Sequence, residues 1–135
     1  MSPVRFEPND AWVLWCVLRQ GGDLENLLRA YTVFARTAIP PYDELAGCLS
    51  RAVRAGLLPV PENGHYRSTP EWYDRLHRFD AASGGAELGL IEFEEEFLAR
   101  EWPVAEGVDF VLPPAEYQQA ADRVRRYHAE VFGGR

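Results

Sequence analysis

The stretch from Asp43 to Trp72, DELAGCLSRAVRAGLLPVPENGHYRSTPEW, limits the possible folds more than any other part of the chain. Leu45, Leu49, Ala52 and Val53 recur at helical spacing and predict a helix from Tyr42 to about Ala55. Gly56 follows, where a left-handed residue commonly ends a helix. Leu57-Leu58-Pro59-Val60 reads as a short strand, and Pro59 places it at an edge because proline cannot donate to a ladder. Glu62-Asn63-Gly64 is a turn, with Asn-Gly the strongest short hairpin signal. His65 to Ser68 returns as the partner strand. Thr69 caps a further helix with Pro70 at its first position, where no N–H is needed. Trp72, Tyr73, Leu76 and Phe79 belong to that helix.

Two helices are predicted upstream. Asn9 or Asp10 caps the first. Trp12, Trp15 and Cys16 follow at helical spacing, with Val13, Leu14, Val17 and Leu18 between them. A helix apolar nearly all round belongs at the centre of a core. Gln20-Gly21-Gly22 ends it. Asp23 caps the second, from Leu24 to about Thr37, with Leu24, Leu27, Leu28, Tyr31 and Phe34 or Ala35 on one face. Ile39-Pro40-Pro41 stops it, since proline cannot continue a helix and disfavours helix in the residue before it.

Gly56-Leu-Leu, a turn and Tyr66-Arg-Ser-Thr-Pro70 resemble the ending of winged-helix proteins such as the MarR and PadR regulators. The segments Asp23-Leu-Glu-Asn-Leu-Leu, Ala38-Ile-Pro-Pro-Tyr-Asp-Glu-Leu and Ala55-Gly-Leu-Leu are similar to those of a group of small uncharacterised bacterial winged-helix-like proteins. The likeness covers roughly residues 9–80 and implies a winged-helix domain over residues 1–80. Fold does not imply function. The chain departs from the pattern in its long second helix. It also opens the third helix with Pro40-Pro41-Tyr42-Asp43-Glu44, where small polar or basic residues are usual.

Composition shifts at Ala81-Ala82-Ser83-Gly84-Gly85, a small-residue linker. Residues 1–80 hold nine Arg against ten acids, and residues 81–135 five Arg against eleven. Residues 81–135 therefore read as an acidic C-terminal extension packing on the first domain. Leu90, Phe93, Phe97, Leu98 and Trp102 form a helical stripe among Glu92, Glu94, Glu95 and Glu96, a solvated acidic face. Periodicity leaves residues 88–93 open between strand and helix. Val108 to Leu112 is extended. Pro114 then opens a final helix with Tyr117, Ala120, Ala121, Val124, Tyr127 or His128, and Val131 on one side. Arg123, Arg125 and Arg126 lie mostly on the other, and Gly133-Gly134 stops it. The expected fold is mainly α with a small β-hairpin.

A winged helix usually reads DNA with the leading residues of its third helix. The candidate contacts are Ser50, Arg51 and Arg54 on that helix's exposed side, with His65 and Arg67 on the wing. Asp43 and Glu44 stand at the leading end instead, and the net charge is −7. Affinity for DNA rests on several Lys or Arg contacts to phosphate. A DNA-binding transcriptional regulator is therefore the alternative reading, and a disfavoured one.

All fourteen basic residues are Arg, which rules out a Schiff base or a P-loop lysine. No G-x-S-x-G elbow and no Gly-rich phosphate loop occur. His65, His77 and His128 have no metal-ligand spacing. The reading is of no catalysis, no cofactor and no metal. Cys16 and Cys48 sit among apolar residues as buried free thiols. No charged and apolar leader is visible, and the longest apolar run, Ala11 to Leu18, falls short of the roughly 20 residues that span a bilayer. A cytoplasmic protein without a membrane partner is expected. Seven Phe, four Trp and six Tyr fill a core or furnish an exposed patch for a partner. The expectation is an interaction or regulatory module whose partner is another protein or a second copy. The resemblance implies the pairing element, since winged-helix proteins often dimerise through added terminal helices, here Pro114 to Phe132.

Overall fold

A computed structural model describes residues 4–17, 21–34, 38–74, 98, 102, 104 and 109–132. The architecture is mainly helical. Helix α1 spans Pro8–Trp15, α2 Leu24–Phe34, α3 Tyr42–Arg54 and α4 Pro114–Phe132. Residues 70–74 are also helical.

Helix α1 begins earlier and ends sooner than its apolar pattern predicts. Glu7 is the N-cap and Pro8 takes the first position, where its fixed φ suits a helix. Asp10 is the third residue in, and its Oδ2 accepts the Glu7 N–H at 2.9 Å, as in a capping box. The last bonds tighten, with the Cys16 and Val17 N–H groups donating to the Val13 and Leu14 carbonyls. Helix α2 follows its predicted start, since Asp23 Oδ1 accepts the Asn26 N–H at 2.8 Å.

Helix α3 ends in a Schellman turn. The Gly56 N–H donates to the Val53 carbonyl and the Leu57 N–H to the Ala52 carbonyl. Gly56 takes φ +77°, a conformation that a side chain would oppose. Leu45, Cys48, Leu49, Ala52 and Val53 are the buried face of α3, and α3 packs against α1.

The segment after α3 departs from the expected strand pair. Among the described residues the pairing consists of isolated bridges, Glu62 with His65 and Gly22 with Tyr66. Pro59 and Pro61 together explain this, because two missing N–H groups leave a ladder nothing to propagate through. Asn63 and Gly64, at φ +53° and +71°, make the tight turn that Asn-Gly predicts. At the base, the Thr69 N–H donates to the Leu57 carbonyl at 3.1 Å. Tyr66 pairs with Gly22 through two backbone bonds of 2.8 and 2.9 Å, so the returning strand meets the segment between α1 and α2. Thr69 then caps the next helical turn, its hydroxyl 3.4 Å from the Trp72 N–H.

One apolar cluster crosses the compositional boundary at Ala81–Gly85. Leu14, Leu28, Leu45 and Leu49 share it with Trp102, Leu112, Tyr117, Ala121 and Val124. Trp102, expected in a helical stripe, forms an antiparallel bridge with Val4 and meets Phe6 and Trp72 edge to face. Helices α2 and α4 pack side by side and run parallel, since Glu25, Arg29 and Thr32 meet Arg123, Tyr127 and His128 in that order. Leu76, His77, Phe79, the 81–85 linker, the glutamates at 92–96 and Gly133-Gly134 lie outside the described residues. No helix among the described residues is long and apolar enough to cross a membrane.

Candidate functional site

Two surfaces are candidates: the outer side of α3 with its adjoining turn, and the neighbouring sides of α2 and α4. On α3, Arg51 does not project outward as its wheel position implies. Its Nε and Nη2 each lie 2.8 Å from a carboxylate oxygen of Asp10. The Asp10 side chain is 1% exposed and that of Arg51 22%. The guanidinium reaches Asp10 by lying across Gly47, where an added Cβ would fall 3.0 Å from Nη1. Burial pulls the Arg51 pKa down, but the hydrogen bonds and charge of Asp10 outweigh it and raise the pKa above its ordinary value. Ser50 and Arg54 are half-buried, and Arg67 and His65 are exposed. The His65 ring covers Gly21, so a Cβ there would sit 2.2 Å from Nε2.

The leading end of α3 is covered by the chain that precedes α4. The Tyr42 hydroxyl donates to the Leu112 carbonyl at 2.6 Å, and the Tyr117 hydroxyl to the Pro40 carbonyl at 2.8 Å. The two rings meet edge to face with centroids 5.5 Å apart. Each tyrosine thus satisfies a carbonyl beside the other. The Pro41 carbonyl accepts the Leu45 N–H at 3.0 Å, the Pro40 carbonyl takes the tyrosine hydroxyl, and nothing in the sequence marks Tyr117 as that donor.

The tip of the turn is also tied down. The Tyr66 hydroxyl donates to Glu116 Oε2 at 2.5 Å, and a Cβ on Gly64 would lie 2.8 Å from Glu116 Oε1. Burial first, and then the bond to the Glu116 carboxylate, push the Tyr66 phenol well above its usual value. The start of α3 and the turn are therefore both held by residues in the first turns of α4.

The second surface carries exposed apolar residues among charged ones. Val33 on α2 is 72% exposed, and Tyr127 and Val131 on α4 are 38% and 45% exposed. The sequence pattern places Tyr127 or His128, together with Val131, on the inward side, and Tyr127 and Val131 are the exposed ones. They are exposed because the core fills only the first part of α4, down to Val124, which is fully buried. The Arg29 guanidinium lies 4.4 Å from the Tyr127 ring centroid and 2.8 Å from Glu25. Arg123, Arg125, Arg126 and Glu130 are exposed along the same helix. The buried Thr32 hydroxyl donates to the Arg29 carbonyl and so accepts from His128 Nε2, 3.2 Å away.

Neither thiol is poised as a nucleophile. Burial pushes Cys16 up to about 12 and Cys48 well above its usual value. Among the described residues no three His, Cys, Asp or Glu side chains are grouped to hold a metal ion. No family model, no curated protein and no solved structure matches the chain.

Proposed function

We propose that this chain is a winged-helix-type interaction module that acts by protein contact and without catalysis, and that its first partner is a second copy of itself. The observation that carries the reading is the exposure of Tyr127 and Val131 on α4 and of Val33 on the neighbouring, parallel helix α2. Exposed apolar residues gathered on one face mark contact sites, and tyrosine and arginine are enriched where such contacts are strongest.

The choice of a second copy rests on charge. Arg123, Tyr127 and Glu130 share one stripe of α4, at i, i+4 and i+7. A two-fold axis crossing α4 between Arg126 and Tyr127 sets Arg123 of each copy opposite Glu130 of the other. Tyr127 then lies near the centre. An isologous contact must be self-complementary in this way, with an apolar middle and a paired polar rim. The winged-helix assignment draws support from the helix order, from the Asn63-Gly64 turn and from the Gly22–Tyr66 pairing.

Light scattering on gel-filtered protein at micromolar concentration tests the reading. A dimer is expected, Tyr127→Glu should leave a monomer, and Arg123→Glu should weaken association that Arg123→Glu with Glu130→Arg restores. A monomer at all concentrations rejects self-pairing. Affinity capture from native cells then decides whether the same face holds a different protein. A captured partner indifferent to Tyr127→Glu would reject the face itself.

A further inference from the structure

We draw no further inference here: the strongest candidate, the open cleft of about 200 Å³ between the start of α2, the Asn63-Gly64 tip and the first turns of α4, gathers Asp23, Glu25 and Glu116 beside Arg123, but these carboxylates already bond to Asn26, Arg29 and Tyr66 and no second observation points to a ligand.

Discussion

Arg51 grips Asp10 through both Nε and Nη2, each 2.8 Å from a different carboxylate oxygen, and so pins α3 to the first turn of α1. The same carboxylate accepts the Glu7 N–H that opens α1. One side chain thus closes a helix start and binds the neighbouring helix. A buried carboxylate needs such partners, because an ion removed from water without them is costly.

Removing one member of the pair should therefore hurt more than removing both. Arg51→Ala leaves the Asp10 carboxyl group buried without its guanidinium partner, and should cost about 3–5 kcal/mol in a urea melt. Arg51→Lys should recover only part of this, since an ammonium cannot make the forked contact. Asp10→Leu with Arg51→Met should lie closer to the native protein than Arg51→Ala does. A loss below about 1 kcal/mol for Arg51→Ala would mean that water replaces the guanidinium without penalty.

Gly47 gives a more sensitive reading of the same contact. Glycine within a helix is about 1 kcal/mol less favourable than alanine. Yet a methyl group at Gly47 would lie 3.0 Å from Arg51 Nη1, whose guanidinium is held in place by Asp10. Gly47→Ala should gain little or nothing in the native background. In the Arg51→Ala background it should gain the full amount, about 1 kcal/mol. Equal effects in both backgrounds would show that the guanidinium gives way freely.

Much of this fold is legible as punctuation. Asp23, Gly56, Asn63-Gly64 and Thr69-Pro70 act through bonds and dihedrals local to themselves, and each appears where its chemistry places it. The inward stripe of α3, with Leu49 fully buried, follows from its 3.6-residue period. What cannot be read is long-range choice. Arg51 at its wheel position looks solvent-facing, and only the spatial neighbour Asp10, 41 residues away, draws it in. Tyr117 and Glu116 lie among ordinary helical residues, and their roles depend on which carbonyl or phenol the fold brings near them. The exposure of Tyr127 and Val131 depends on where the core stops, which periodicity does not encode.

Stability should fall in alkali, and the thiols fix where the fall begins. Cys16 is held up to about 12 in the folded chain against 9.0 when free. Above about pH 9 the unfolded chain loses a proton that the native chain keeps, so stability decreases with rising pH. The contribution is intact below 9.0 and is lost as pH climbs toward about 12. Within that window each such group gives a slope near 1.4 kcal/mol per pH unit. Cys48 and Tyr66 shift in the same direction and add to the fall. Urea melts in steps above about pH 8 should show the decline, and Cys16→Ala should reduce its slope by about 1.4 kcal/mol per unit. An unchanged slope in that variant would place the Cys16 thiol in contact with water.

Sequence-specific binding to duplex DNA should be absent at physiological salt. The leading turn of α3 carries Asp43 and Glu44, and its approach is covered by the Tyr42–Tyr117 contact. Arg51 is committed to Asp10, and the turn is tied to Glu116 through Tyr66. Arg54 and Arg67 remain as the cations of the predicted contact set, on a chain of net charge −7. Two phosphate contacts release about two counterions, where tight readers release many more. A selection from random duplexes at about 0.15 M salt should therefore enrich nothing. Residual binding at low salt should be weak, indifferent to sequence and unaffected by Arg51→Ala beyond its effect on folding. Submicromolar binding of one sequence, lost in Arg54→Ala or Arg67→Ala while the variants stay folded, would overturn the prediction. It would establish the outer side of α3 as a reading surface despite its acidic lead.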